Sequence, residues 1–249
     1  MSLKKRASVS KEKILEWLEK YKRETGCEGV VLGISGGKDS TLVAMLAKKV
    51  WGDNVVGVMM PNGEQADIAD SMEIVEKLAL RHYTVNVSDA FNSLCAEIEK
   101  KTSLEIARQA KTNIPPRLRM TTLYAIAQTL GYRVIGTGNA SEAFIGWTTK
   151  WGDSAYDLNP IASLTCTEVM ELGASLAREF GLDEKFAYKA PSDGLTGKTD
   201  EDNFGFSYAE LDNYIINGEL GSDEARAKID KMHAQSAHKR KMPERFGID

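Results

Sequence analysis

The chain has 249 residues, of which 42% are hydrophobic, and this is enough to bury the core of one large domain. Its 32 basic and 36 acidic residues leave a formal net charge of −4, so the chain as a whole has no basic field for binding nucleic acid. The three cysteines form no Cys-x-x-Cys pair, which argues against a disulfide framework and against a zinc or iron–sulfur centre. We expect reduced thiols in a cytoplasmic protein without a membrane partner.

Helix and strand patterns alternate over the first part of the chain. Ser10 is expected to cap a first helix that ends at Gly26, because apolar residues recur on one helical face between them. Another helix is expected to end near Gly52. Short apolar runs predict strands, and longer amphipathic stretches predict helices between them. The strands are predicted at 30–34, 54–60, 83–87 and 133–136, and further helices at 66–80, at 91–111 and from Pro115-Pro116 to about 130.

This alternation predicts an α/β fold, a doubly wound parallel sheet with helices on both faces. In such sheets ligands bind beyond the carboxyl ends of the strands. The turn after the first strand and the segment Thr137–Asn139 after the fourth strand both lie at such ends. We therefore expect two elements about a hundred residues apart in sequence to meet at one site.

The C-terminal part is less regular. Residues 136–161 have weak periodicity, as expected of a binding segment. Thr165 and Glu168 form a capping box for a helix that runs to about Phe180. Residues 181–203 are predicted to be a long loop that could act as a lid. Helices are predicted at 208–216 and 223–236, before a basic tail, and we expect residues 1–249 to form a single domain.

A glycine-rich run between the first strand and the second helix carries the strongest functional signal. It comprises Gly33, Ile34, Ser35, Gly36, Gly37, Lys38, Asp39 and Ser40. Glycines let the backbone approach an anion, and the free N–H groups of a helix start point at it. The run is not a Walker A loop, because the Gly-Lys-Ser/Thr ending is absent. Lys38 occupies the variable position of the motif, where we expect a solvated side chain. The alternative is an ordinary strand-to-helix turn.

The motif Ser-Gly-Gly-x-Asp-Ser resembles the loop of the N-type ATP pyrophosphatases, which split ATP into AMP and pyrophosphate to activate a carboxylate or carbonyl group. Further segments occur in one order and narrow the family. They are Arg117–Met120, Gly136–Glu142, Thr149–Asp153, Asp157-Leu158, Ala190–Asp193, Gly205–Tyr208 with Leu211-Asp212, and His238-Lys239. This ordered set, from about Lys11 to Lys241, resembles ammonia-dependent NAD+ synthetase.

The resemblance implies a fold of the adenine nucleotide alpha hydrolase type and a homodimer. It implies amidation of nicotinic acid adenine dinucleotide (deamido-NAD+) by ammonia to give NAD+, with ATP as co-substrate and Mg2+ as cofactor. Some relatives carry an extra amidase domain that releases ammonia from glutamine. Because the similarity already covers nearly all of the 249 residues, we expect no such domain and infer free ammonia, or ammonia delivered by a partner, as the nitrogen source.

The resemblance also implies nucleotide and metal contacts. The whole run Gly33 to Ser40, together with Thr137 and Ser192, would bind ATP. Asp39 and Glu142 would bind Mg2+, a hard cation that prefers carboxylate oxygen. Taken alone, Asp39 could instead be a carboxylate that stabilises a helix start, and Glu142 could be an ordinary surface residue.

Other matches concern the second substrate and catalysis. Arg117, Lys150, Asp157, His238 and Lys239 would bind the dinucleotide, and Asp39, Lys150 and Asp153 are the candidate catalytic residues. Asp153 could accept protons from the attacking amine, since amide formation releases them, or it could only contact the substrate. The basic tail could also be an ordinary solvated terminus.

Two positions depart from the family pattern. Many members have a lysine that touches ATP phosphate where this chain has Cys166, so one positive charge is missing or comes from elsewhere, such as Lys198. Ser192 replaces the usual threonine and keeps the hydroxyl group.

Other functions fit the glycine-rich loop. An RNA-modifying enzyme such as a lysidine synthetase or a thiolase is opposed by the acidic balance and the absent Cys-x-x-Cys motif. A GMP-forming amidotransferase is opposed by the segment 149–157. A nucleotide-binding regulator without turnover is opposed by Asp39 and Glu142 together, because sensing a nucleotide needs no second metal carboxylate.

Overall fold

The computed structural model describes residues 3–64, 68–189 and 199–247, with backbone only for residues 3–10. Its centre is a parallel sheet of four strands in the order β3-β2-β1-β4. The strands are β1 (Val30–Gly33), β2 (Val55–Met59), β3 (Arg81–Thr84) and β4 (Arg133–Val134). Ile135 adds a parallel bridge to Leu158 beyond β4. The predicted doubly wound parallel sheet is confirmed.

Helices connect and cover the strands. They are α1 (Leu3–Thr25), α2 (Lys38–Trp51), α3 (Ile68–Lys77), α4 (Ser88–Thr102), α5 (Arg108–Leu130), α6 (Ala140–Ile145), α7 (Cys166–Phe180), α8 (Lys185–Tyr188), α9 (Asp200–Phe204), α10 (Tyr208–Asn217) and α11 (Asp223–Gln235), and a 3-10 turn follows at Ala237–Lys239. Within the described ranges, none of these helices has the length and apolar content to cross a bilayer.

Both faces of the sheet are buried. Val30 and Leu32 pack into a large core with α1, α2 and α7, whereas Val31 points to the other face and packs into the cluster of α5. Successive side chains of a strand point to opposite faces, so one short apolar strand contributes to two cores. A third cluster joins α6, α10 and α11 through Ile145 and Leu211 among others. It supports the short helix α6, which follows β4.

Several helix boundaries follow local signals. α2 ends before Gly52, which has a φ of 56°, as predicted. α7 begins with the predicted capping box, in which Thr165 accepts the N–H of Glu168 and the Glu168 side chain accepts the N–H of Thr165. α10 and α11 lie close to their predicted ranges.

Other boundary predictions are wrong for physical reasons. Ser10 is not a cap, because α1 already begins at Leu3 and the segment is rich in good helix formers. The predicted helix at 91–111 is interrupted at Ser103, whose left-handed φ of 58° ends α4. Pro115 and Pro116 lie inside α5 rather than at its start. Each proline removes its own N–H from the helix ladder and its ring crowds the carbonyl four residues earlier, and the packing of α5 on α4 and the sheet outweighs this cost.

Two further segments differ from expectation. α3 ends at Lys77, and Ala79, predicted to face inward, is exposed with a φ of 46°. The predicted loop 181–203 includes the short helix α8 and overlaps most of α9. Ser192 and Lys198 lie outside the described residues.

Leu46→Ala tests the main core. Leu46 on α2 is fully buried, so the shortened side chain should lower the free energy of unfolding by about 2–5 kcal/mol, measured by urea denaturation. The matched control is Leu104→Ala at a side chain that is 65% exposed, where a change below about 0.5 kcal/mol is expected. Equal effects of the two substitutions would contradict the assignment of the core.

Candidate active site

The glycine-rich turn joins β1 to α2 and is held in shape by two hydroxyl groups. Ser40 Oγ lies 3.1 Å from Ser35 Oγ, accepts the Ser35 N–H at 3.3 Å and donates to the Gly37 carbonyl at 3.1 Å. Gly36 has a φ of 77°, a conformation that favours glycine. Gly37 is the N-cap of α2 and supplies no capping side chain. The first N–H groups of a long helix are thus left without a side-chain cap, which suits an anion.

The turn lies at the topological switch point of the sheet, where successive strands are added on opposite sides of β1. β2 lies on one side of β1 and β4 on the other, so a crevice opens at the carboxyl ends of β1 and β4. Thr137 follows β4 and is half-buried. Asn139 comes two residues later and is fully buried. The sequence elements that we expected to meet therefore border one crevice.

Asn139 joins the two elements directly. Its Nδ2 donates to Asp39 Oδ1 at 2.9 Å, across a hundred residues of chain. Its Oδ1 accepts the N–H of Glu142 at 3.0 Å, and its own N–H donates to Glu142 Oε2 at 3.1 Å. This capping box starts α6 and fixes Glu142 beside Asp39.

Lys38 is buried, with 3% of its surface exposed, so the expectation of a solvated side chain is wrong. Its Nζ donates to Asp39 Oδ2 at 2.7 Å and lies 5.7 Å from the centre of the Tyr208 ring. Burial alone would lower the pKa of the ammonium, but the charge of Asp39, with smaller contributions that include Glu142, outweighs it and holds the pKa above its usual value. Lys38 is therefore a fixed cation beneath the turn.

Glu142 has an unusual environment for a carboxyl group. Burial, and then the negative charge of Asp39, raise the pKa of Glu142 to about 8, against the opposing effect of Lys38. Two carboxylates with mutually unfavourable charge are a suitable donor pair for a hard divalent cation. Among the described residues no three Asp, Glu, His or Cys side chains form a metal-binding group, so Mg2+ here would need phosphate or water oxygens as further ligands.

Asp153 lies near this acid pair. Its charge is close enough to raise the pKa of Glu142, and its Oδ1 accepts the N–H of Thr149 at 2.7 Å. Solvent reaches the side chain, yet the surrounding protein atoms raise the pKa of Asp153 more than the Thr149 amide and the charge of Lys239 lower it. Asp39, Glu142 and Asp153 thus belong to one electrostatic site.

The C-terminal tail is docked against this site. Lys239 Nζ donates to the carbonyls of Gly146 at 2.8 Å and Thr148 at 2.6 Å. Arg240 donates to the carbonyl of Phe144 at 2.9 Å, so the two cations bind the C-terminal end of α6. Desolvation lowers the pKa of Lys239, and the charge of Asp153 opposes that effect. The alternative of a freely solvated tail is wrong for these two residues, whereas His238 is exposed.

Arg117 and Lys150 form a more exposed edge of the site. Arg117 Nε donates to the Lys150 carbonyl at 3.3 Å, and Lys150 Nζ lies 5.6 Å from the centre of the Trp151 ring. Trp151 is 49% exposed and has a φ of 63°, which is uncommon for a bulky residue. This edge presents two cations and an aromatic ring to solvent.

Asp157 lies apart from the turn. Its Oδ2 accepts the N–H of Val134 at 2.7 Å, and its Oδ1 accepts the hydroxyl of Tyr124 at 3.4 Å. Both contacts are beside β4, before the strand reaches the crevice. The structure therefore does not bring Asp157 to the Asp39–Glu142 pair. Ser192 lies outside the described residues.

Sequence reasoning included two side chains in the expected site segments but assigned them no role. Asn139 carried a usable signal, because it stands three residues before a glutamate at a predicted helix start. Arg119 carried a weaker one. Its Nε donates to the Met60 carbonyl at 2.9 Å, and burial lowers its pKa while the nearby charge of Asp153 opposes the shift. Only the folded chain places this half-buried arginine beside Asp153.

An uncapped glycine-rich helix start and neighbouring carboxylates, at the switch point of a parallel sheet, define a nucleotide-binding α/β protein. A family model described as NAD synthase matches residues 10–243. An NH3-dependent NAD+ synthetase of Carboxydothermus hydrogenoformans is 43% identical over 235 residues, which cover 94% of this chain and 95% of the relative. The chain belongs to the NAD synthase family.

Solved structures agree over nearly the whole length. An NMN synthetase from Francisella tularensis has a TM-score of 0.87 and 34% identity, and the match covers 97% of this chain and 99% of that one. An NH3-dependent NAD synthetase from Campylobacter jejuni has a TM-score of 0.75 and 28% identity, with coverage of 99% and 100%. The similarity is therefore not confined to the nucleotide loop.

Glu142→Gln tests whether the ionised Glu142 carboxyl beside Asp39 destabilises the folded protein in metal-free buffer. A carboxyl group whose pKa is raised on folding stabilises the protein below its unfolded pKa, and this contribution is lost as pH rises towards the folded pKa of about 8. Glutamine keeps the capping acceptor and does not ionise. The variant should therefore gain at least about 1 kcal/mol in unfolding free energy relative to the parent protein between pH 5 and pH 8, measured by urea denaturation.

Glu210→Gln is the matched control. Glu210 occupies the same capping-box position in α10, but the N–H and hydroxyl of Ser207 lower its pKa. Its stabilising effect is already complete above its unfolded pKa, so this substitution should add no pH dependence between pH 5 and pH 8. A flat difference for Glu142→Gln as well would show that Asp39 does not disfavour the ionised Glu142.

Proposed function

We propose that this protein is an ammonia-dependent NAD+ synthetase, which amidates deamido-NAD+ with ammonia and converts ATP to AMP and pyrophosphate. The observation that carries the proposal is the meeting of the uncapped start of α2 with Asp39 and Glu142 at the sheet's switch point. Family membership and the curated relatives support the reaction. We further propose a cytoplasmic homodimer, by analogy with the family alone.

The first half-reaction must turn a carboxylate into an electrophile. One oxygen of the nicotinate carboxylate attacks the α-phosphorus of ATP, a new O–P bond forms, and the bond to pyrophosphate breaks. Transfer of this kind depends mainly on alignment and on neutralising charge. The turn at Ser35–Ser40 is suited to aligning the phosphates and neutralising their charge, because its backbone and hydroxyl groups lie at a positively polarised helix start.

Asp39 and Glu142 are the residues that would hold Mg2+. When bound, Mg2+ supplies positive charge to the phosphates and to the developing pyrophosphate. The raised pKa of Glu142 supports this assignment, because it reflects burial first and then the negative charge of Asp39, and a bound cation would offset both. Asn139 positions both carboxylates through its amide group.

The second half-reaction forms the amide. Ammonia attacks the activated carboxyl carbon, a C–N bond forms, and the C–O bond to AMP breaks while the nitrogen loses a proton. Asp153 is the candidate acceptor of this proton, and its raised pKa suits a general base better than an ordinary aspartate would. Arg117, Lys150, His238 and Lys239 are candidate contacts for the anionic substrate.

A second candidate function is amidation of nicotinic acid mononucleotide to nicotinamide mononucleotide (NMN). The Francisella tularensis structure described as an NMN synthetase has a TM-score of 0.87, compared with 0.75 for the Campylobacter jejuni NAD synthetase. Both acids present the same pyridine carboxylate and ribose phosphate, so the same chemistry would serve either. The curated relatives favour the dinucleotide.

An assay of purified protein with ATP, Mg2+, ammonium and either pyridine acid tests both candidates. We expect NAD+, AMP and pyrophosphate in equal amounts, and a higher kcat/KM for deamido-NAD+ than for the mononucleotide. Glutamine in place of ammonium should give little product. A higher kcat/KM for the mononucleotide would favour the second candidate. ADP as the product, or ATP cleavage that does not need either acid, would contradict both.

Glu142→Gln should also lower kcat/KM by about 100-fold or more, because a charge contact to the metal is worth several kcal/mol in the transition state. It should do so without loss of unfolding free energy at pH 8, which separates the catalytic effect from misfolding. The measurement is initial rate against Mg2+ concentration, with Glu210→Gln as the control of normal activity. If Glu142→Gln keeps normal rates at low Mg2+ concentration, Glu142 is not a ligand of the metal.

A further inference from the structure

Asp212 on α10 is a buried acid that the proposed mechanism does not use. It is 3% exposed, and both oxygens of its carboxylate accept hydrogen bonds. Oδ1 accepts the hydroxyl of Ser141 on α6, and Oδ2 accepts the N–H and the hydroxyl of Thr167 on α7 at 2.7 Å and 2.6 Å. The Thr167 N–H belongs to the first turn of α7, where a negative charge is favourable. One carboxylate therefore joins α6, α7 and α10.

Ser141 connects this acid to the start of α6. The residue is fully buried, and its hydroxyl donates to Asp212 and accepts the N–H of Cys166 at 2.9 Å. Ala140, the residue before it, donates its N–H to the Leu164 carbonyl at 2.8 Å. The first residues of α6 are thus attached to α10, to α7 and to the segment that precedes α7.

These contacts restrict the direction in which Glu142 can point. Successive residues of an α-helix are rotated by about 100° around its axis, so Ser141 and Glu142 point in different directions from adjacent positions. Ser141 is turned towards α7 and α10, whereas the Glu142 carboxyl lies within the electrostatic reach of Asp39. A helix of six residues is too short to hold this orientation alone. The bond between Ser141 and Asp212 therefore contributes to it from outside the helix.

We propose that Asp212 is a positioning residue that sets, through Ser141, the direction of the Glu142 carboxylate. The proposal rests on the proposed function, because it takes Mg2+ together with ATP as the ligand of Asp39 and Glu142. Groups that orient a metal ligand change metal affinity without touching the ion themselves. The competing explanation is that Asp212 only joins three helices and contributes to stability alone.

Substitutions on the two sides of Asp212 distinguish these explanations. Asp212→Asn keeps the volume and one oxygen that can accept from Thr167, but it has no second oxygen for the Ser141 hydroxyl. Ser141→Ala removes the same hydrogen bond from the α6 side. Thr167→Val is the matched control, because it removes a hydroxyl donor on the α7 side and leaves the bond between Asp212 and Ser141 in place.

The measurement is the dissociation constant of ATP by isothermal titration calorimetry, once with excess Mg2+ and once with a chelator in place of the metal. Ammonium and both pyridine acids are left out, so no amide product forms. The ratio of the two dissociation constants gives the gain in ATP affinity that depends on the metal. Urea denaturation of each variant measures the accompanying change in unfolding free energy.

Asp212→Asn and Ser141→Ala should each reduce the metal-dependent gain about tenfold, while ATP binding without metal changes by less than about threefold. The double variant should lose no more than either single variant, because both substitutions remove one bond. Thr167→Val should also lose unfolding free energy, yet keep the metal-dependent gain within about threefold of the parent protein.

An unchanged gain in Asp212→Asn or Ser141→Ala would overturn the proposal, and so would an equal reduction in Thr167→Val or a parent protein whose ATP affinity does not depend on Mg2+. If one of the two α6-side variants does not fold, the other still decides, because both interrupt the same hydrogen bond. Failure of the proposed function is recognised separately, since the parent protein would then form no amide product from either pyridine acid.

Discussion

The hydrogen bond from Asn139 to Asp39 is the contact on which the rest of the site depends. Asp39 belongs to the helix after β1, and Asn139 follows β4. The bond spans the crevice between the carboxyl ends of these two strands, and it can form only because the strands are neighbours in the sheet. The same asparagine caps α6 and fixes Glu142. One buried amide group therefore sets the distance between two carboxylates that ordinary electrostatics would separate.

The charges around this contact explain why the site needs its ligands. The charges of Asp39 and Asp153 both disfavour the ionised form of Glu142, and Lys38 offsets this only in part. A crevice of this kind is prepared for a cation together with an anionic ligand, because neither alone would balance it.

Local signals explain which parts of the fold could be predicted. The strands around Val31 and Val56, the end of α2 at Gly52 and the capping box at Thr165 all follow from patterns within a few residues. The prediction that Pro115-Pro116 would begin a helix was wrong, because the packing of α5 outweighs the cost of two prolines inside it. At the site, resemblance identified Asp39 and Glu142 as neighbours, whereas the burial of Lys38 depends on α7 and α10, which lie far away in sequence.

The third hydrophobic cluster has a role beyond its own stability. It joins α6 to α10 and α11, and the tail after α11 returns to bind the carbonyls at the end of α6. α6 has only six residues and could not persist alone, so Glu142 at its start is held by a cap at one end and by Lys239 and Arg240 at the other. The tail that brings Lys239 towards Asp153 thus also supports the helix that carries Glu142. Glu142 serves the first half-reaction of the proposed mechanism and Asp153 the second. A substitution in the tail would therefore act on both, although Glu142 and Asp153 belong to separate segments of the chain.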